Sequence, residues 1–140
     1  MLQSTLCYIE NPAGEYLMLH RVKKKNDVNH DKWIGVGGKF EDGESPEECV
    51  CREVLEETGI HIKIIPQFAS KSEYTIQGKV EKSVIIYLAR TDDTQTIIQK
   101  EEIEDYIWLN YEKAMETLRF INDRNILRNA NSFIRQNGLN

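Results

Sequence analysis

With 140 residues, 40% of them hydrophobic, the chain has material for one buried core and too little for two ordinary domains. A net charge of -5 speaks against a broad nucleic-acid surface, and no run of about 18 apolar residues is present to cross a membrane. The first residues, MLQSTLCYIENPAGE, lack the basic and long apolar regions of a signal peptide, so a single cytoplasmic domain, monomeric or homodimeric, is expected.

Residues 3–10 and 15–21 alternate as strands around a turn at Asn11, Pro12, Ala13 and Gly14. A polar loop containing Lys23, Lys24 and Lys25 leads to a short strand at 33–36. There Gly35, Gly37 and Gly38 allow close backbone approach to a ligand. The strongest helix signal follows. Ser45 is an N-cap residue, Pro46 suits the first helical position, Glu48 completes a capping box and Gly59 suits the left-handed C′ position, so the helix should run from Pro46 to Thr58. Its expected apolar stripe is Val50, Cys51, Val54, Leu55 and Thr58, with Glu53, Glu56 and Glu57 opposite. Strands at 61–74 and 80–89 follow around a Gln77, Gly78 turn, then a short strand at 106–109. Asn110 can cap a helix reaching about residue 119, and a last helix spans about 123–136. This order predicts an α/β (α+β) domain, a mixed β-sheet sandwiched between α-helices.

Three glutamates gathered on one helix repel one another by roughly 0.2 to 0.5 kcal/mol per pair. They suit a solvated acidic face, or the hard oxygen ligands that magnesium or manganese takes beside substrate phosphates. Cys49 and Cys51, two apart on a helix, point to different faces, which suits neither a disulfide nor a shared zinc; a reactive Cys49 on the acidic face is the alternative to a structural thiol. None of His20, His30 and His61 has zinc-motif spacing with another.

Read as Gly38, five residues, Glu44, seven residues, then Arg52, Glu53, Val54, Leu55, Glu56, Glu57, Thr58, Gly59 and Ile60, the segment resembles the Nudix box at every specified position. The resemblance implies a Nudix domain over residues 1–140 and a hydrolase of nucleoside diphosphates linked to another moiety. It implies that Glu53, Glu56 and Glu57, with the Gly37 carbonyl, hold Mg2+, with Mn2+ as a substitute. Arg52 then orients the glutamates, Glu44 anchors the loop to the helix, and the acidic cluster Glu101, Glu102, Glu104 and Asp105 supplies one more carboxylate to the metals or the attacking water, with Glu102 the choice, Glu101 or Glu104 the neighbouring registers and a solvated loop the alternative. Glu53 or Glu102 would act as general base.

YLMLHR at 16–21, KKKND at 23–27 and KWIGVGGK at 32–39 resemble the MutT branch, and its MutX type, which hydrolyses oxidised purine nucleoside triphosphates. This likeness covers the first half of the chain and implies 8-oxo-dGTP cleaved to monophosphate and pyrophosphate, a nucleotide-pool sanitation linked to DNA repair. Arg21, Lys39 and Lys23 are the expected phosphate contacts, with Trp33 and Asn29 at the base. Ile34 has no hydrogen-bonding group, so base recognition has to come from elsewhere, such as Asn29 or Asp27. The alternatives are ADP-ribose, a dinucleoside polyphosphate or another nucleotide derivative, and a binding module that has lost catalysis. A small nucleotide is the expected partner, with no stable nucleic-acid complex and no membrane.

Overall fold

The structure, a computed structural model, describes residues 2–21, 32–76, 80–93, 95–98 and 103–136. In chain order the elements are β1 (Leu2–Glu10), β2 (Tyr16–Arg21), β3 (Lys32–Ile34), α1 (Pro46–Thr58), β4 (Lys63–Ile76), β5 (Val80–Arg90), β6 (Ile103–Leu109), α2 (Tyr111–Thr117) and α3 (Ile121–Gln136). The six strands form one sheet in the order β3-β2-β1-β5-β4, with β6 also paired to β2. β1 runs parallel to β5 from Leu2 opposite Lys82 to Glu10 opposite Arg90, while the β1–β2, β2–β3, β2–β6 and β4–β5 pairings are antiparallel. The expected mixed sheet between helices is therefore the fold.

Alternation along β1 and β5 divides the core between the two faces. Tyr8, Ile86 and Leu88 pack on one side with Leu118 and with Ile126, Leu127, Ala130 and Ile134 of α3. Cys7, Ile9, Tyr87 and Ala89 pack on the other with Val50 and Val54 of α1.

What positions the site is a wedge in this sheet. β1 and β2 pair only at Glu10 and Tyr16, next to their turn. Beyond that point the segment after β3 lies beside β1, bridging Val36 to Cys7 and Lys39 to Ser4. Glycine is required here because a Cβ on Gly37 would lie 2.0 Å from the Thr5 carbonyl oxygen. The glycine-rich turn is thereby fixed against β1, beneath α1.

The boundaries of α1 match the sequence signal: Ser45 accepts from the Glu48 backbone, the Glu48 side chain returns to the N-cap, and Gly59 adopts φ 70°. Its facing does not. Glu57 is 3% exposed, while Cys51 and Leu55 are exposed and Cys49 is buried. The reason is helical arithmetic. Glu57 follows Val50 by seven residues, about 700° of rotation or 20° short of two turns, so it belongs to the packed face. Cys51 and Leu55 lie about 100° and 140° away from Val50 on the other side. The buried stripe is thus Cys49, Val50, Val54, Glu57 and Thr58. Elsewhere β6 begins earlier than expected, at Ile103, and α3 begins at Ile121.

Candidate active site

Arg52 organises the exposed side of α1. Its Nε and Nη2 donate to Glu44 Oε2 and Oε1 at 2.5 and 3.0 Å, a fork in which each carboxylate oxygen receives one donor. Nη2 also donates to the Lys39 carbonyl at 3.0 Å, tying the helix to the glycine-rich turn. Nη1 reaches Glu53 Oε1 at 2.9 Å and Glu56 Oε2 at 3.1 Å. Glu41 lies 3.1 Å from Nε, and its backbone N–H donates to Glu44 Oε1 at 2.9 Å. The hydrogen bonds from Arg52, then that from the Glu41 backbone, hold the Glu44 carboxyl down to about 2 from an ordinary 4.5. Glu44 first, and then Glu53, push Arg52 up, so it stays charged throughout the physiological range.

Glu53 is the hinge between the exposed and buried carboxylates, because Glu56 and Glu57 fall about 60° and 40° from it around the axis. Its carboxylate occupies the place a Cβ on Gly38 would take, with contacts that would be 2.3 to 2.6 Å. Val36 and Gly38 both direct their carbonyls to β1, accepting from Cys7 at 2.6 Å and Thr5 at 2.8 Å, which turns the intervening Gly37 carbonyl the other way. The Glu53 carboxylate and the glycine-rich turn are thus in contact, and oxygen donors of this kind suit a divalent cation. Among the described residues no three His, Cys, Asp or Glu side chains by themselves enclose one. Arg52 Nη1 stands between Glu53 and Glu56, supplying positive charge there.

Two further contacts brace this arrangement. Cys49 Sγ lies 3.4 Å from Thr5 Oγ1 and donates to the Gly38 carbonyl at 3.7 Å. Burial, first, pushes its thiol up, so Cys49 ties α1 to the turn as a structural group and not as a reactive one on the acidic face. Tyr87 of β5 donates to Glu47 Oε1 at 3.0 Å, and burial, then this bond, raises its hydroxyl to about 12.

The residues expected at the substrate are more dispersed. Trp33 stacks on His20 with ring centroids 4.9 Å apart, joining β3 to β2. Lys39 is exposed and bridged to Ser4. Arg21 pairs with Lys32 and, across a bulge, with Ile103. Lys23, Asp27, Asn29 and Glu102 lie outside the described residues. Ile34 is buried. Two polar groups in the α3-side core had no sequence signal, since β1 reads as apolar alternation and Asp123 as a first-turn acid. The Tyr8 hydroxyl is buried without a partner among the described residues; burial first, then the Asp123 charge, raises it, and burial likewise raises the Asp123 carboxyl.

Comparison with known proteins agrees with this geometry. The NUDIX domain family model matches residues 2–130. The asymmetrical bis(5'-nucleosyl)-tetraphosphatase of Sus scrofa is 29% identical over 130 residues, covering 90% of this chain and 84% of that protein. An 8-oxo-(d)GTP phosphatase of Mycolicibacterium smegmatis is 26% identical over 114 residues, covering 81% of this chain but 33% of that protein. The crystal structure of a C. elegans Ap4A hydrolase binary complex superposes with a TM-score of 0.81 at 22% identity, covering 97% and 99% of the two chains. The chain belongs to the Nudix family, and is accordingly a hydrolase of phosphorus-containing acid anhydrides.

Proposed function

We propose that this enzyme cleaves a dinucleoside tetraphosphate asymmetrically, water adding to one phosphorus of the chain while the bridging oxygen leaves with the triphosphate. The observation that carries the reading is the extent of likeness to the tetraphosphatase: 130 residues, running well past α1 and covering most of both proteins. The match to the 8-oxo-(d)GTP phosphatase, by contrast, covers 81% of this chain but only 33% of that protein.

In this reading Glu53, Glu56, Glu57 and the Gly37 carbonyl hold Mg2+, or Mn2+ in its place. When bound, such cations neutralise the polyphosphate and acidify water at the site. Arg52 aligns Glu53 through Oε1, and Glu44 fixes Arg52. Glu53, so aligned, accepts the proton of the attacking water, with Glu102 as a second carboxylate. Lys39, Arg21 and Lys23 meet the outer phosphates, and Trp33 offers a stacking surface to a base.

A second reading, 8-oxo-dGTP hydrolysed to monophosphate and pyrophosphate, is favoured by the glycine-rich approach at Gly35 to Lys39 and by the likeness to the 8-oxo-(d)GTP phosphatase. Steady-state kinetics on diadenosine tetraphosphate, 8-oxo-dGTP and dGTP separates the two. The first reading expects kcat/KM for the tetraphosphate to exceed that for 8-oxo-dGTP by at least about tenfold, with ATP and AMP as products. The reverse order, with 8-oxo-dGTP preferred over dGTP, establishes the second.

A further inference from the structure

Where α1 meets the sheet, Thr5 of β1 and Cys49 of α1 join the Gly38 carbonyl in a closed set of contacts. The Gly38 oxygen accepts from the Thr5 backbone at 2.8 Å and from Cys49 Sγ at 3.7 Å, while Cys49 Sγ lies 3.4 Å from Thr5 Oγ1. With the thiol proton given to Gly38, the Thr5 hydroxyl is left to donate to the sulfur. Thr5 is 3% exposed and Cys49 is fully buried, so neither side chain meets a ligand itself. What they contribute passes through the groups they hold.

Those groups are the glycine-rich turn and, through the helix, Glu53. Cys49 precedes Glu53 by four residues, about 40° around α1 and roughly 6 Å along it, so the thiol sits one turn before that carboxylate on the same side. The Glu53 carboxylate lies against the Gly38 Cα, where a Cβ would come within 2.3 Å of it. On the strand side, a Cβ on Gly37 would strike the Thr5 carbonyl at 2.0 Å. The turn is thus held closely from both sides, and the Thr5–Cys49 contact ties strand to helix at the same level. Cations differ in how strictly they need such a spacing. Mg2+ demands near-ideal octahedral geometry at about 2.0–2.1 Å, whereas Ca2+ accepts more oxygens at about 2.3–2.6 Å in flexible arrangements.

We infer that Cys49 and Thr5 are positioning residues that set the cation preference of the centre, holding the Glu53 carboxylate and the Gly37–Gly38 turn at a spacing that favours Mg2+ over Ca2+. It rests on the function proposed above, in which Glu53 and the Gly37 carbonyl hold the cation. Loss of the thiol or of the hydroxyl leaves the Thr5 N–H on Gly38, so the turn keeps its place beside β1 while its spacing from α1 relaxes toward the larger ion.

The test is competition of Mg2+ and of Ca2+ against Mn2+ on the full chain without nucleotide, followed by electron paramagnetic resonance, in the parent, Cys49→Ala, Cys49→Ser and Thr5→Val. The ratio of Ca2+ to Mg2+ affinity should rise at least about threefold in Cys49→Ala and in Thr5→Val, the scale of one lost hydrogen bond, and stay nearer the parent in Cys49→Ser, which keeps a donor. Thr5→Val conserves the branched shape, so it keeps the test alive if Cys49→Ala does not fold. A general weakening of the fold lowers both affinities together and leaves their ratio unmoved. An unchanged ratio in folded Cys49→Ala or Thr5→Val, while the parent binds Mn2+, overturns the inference alone. A parent that binds no Mn2+ overturns the proposed cation centre and the inference with it.

Discussion

Two arginine–glutamate pairs flank the two ends of β1, and they are built differently. Arg52 meets Glu44 with a fork in which each carboxylate oxygen takes a donor, and its remaining nitrogen reaches Glu53 and Glu56. Arg90 places both donors on one oxygen of Glu10 and leaves the other without a partner among the described residues. The first is a closed clamp that orients further carboxylates. The second is an open pair at the edge of a cleft. Charge pairing alone therefore does not identify a catalytic centre; the number of satisfied oxygens and what the spare donors reach do.

The comparison is broken most strongly at Glu53. Glu53→Gln keeps an oxygen that can accept from Arg52, so stability should stay within about 0.5 kcal/mol. Nucleotide hydrolysis should nevertheless fall by at least about a hundredfold, as for loss of one preorganised electrostatic group. Near-normal turnover would remove Glu53 from the chemistry.

Arg52→Lys comes next. Lysine keeps the charge but lacks the planar fork, so it cannot serve Glu44, Glu53 and Glu56 together. Turnover should drop on the order of tenfold, whereas Arg90→Lys should leave it unchanged. Equal losses in the two variants would erase the distinction between clamp and open pair.

Glu57 and Glu56 sharpen the packing side of the account. Glu57 is buried and has an interaction partner, so Glu57→Ala should destabilise the fold by about 1 to 3 kcal/mol in denaturant titration. Glu56, more than half exposed, should tolerate alanine within about 0.5 kcal/mol. Equal stabilities would place Glu57 back on the solvent face.

The smallest effect concerns pH. Arg52 lowers the Glu44 carboxyl from 4.5 to about 2, so its stabilising contribution is complete above about 4.5 and is lost as pH falls toward 2. The difference in melting temperature between the parent and Glu44→Gln should narrow across that window. A difference that grows on acidification would reverse the assigned sign.

Much of this was legible before the structure, for reasons that differ by element. The α1 boundaries were encoded locally by Ser45, Pro46, Glu48 and Gly59, whose capping roles need no distant partner. At Glu57 acidic character suggests the solvent face, whereas its angular position, close to that of Val50, puts it in the packing. Glu44's role was available from the family pattern, yet the Arg52–Lys39 contact depends on β1 holding the turn, a long-range bridge that no local signal reports. The Glu10–Arg90 pair was likewise hidden. Its members are 80 residues apart and meet only because β1 and β5 run parallel in register.

In the proposed function the α1 carboxylates form the cation-dependent centre and the Glu10 end of β1 does not. Mn2+ binding followed by electron paramagnetic resonance, without nucleotide, tests it directly. The parent and Glu10→Gln should bind Mn2+ alike, and the triple variant Glu53→Gln, Glu56→Gln, Glu57→Gln should lose that binding. Retained binding in the folded triple variant, or its loss in folded Glu10→Gln, would contradict the account.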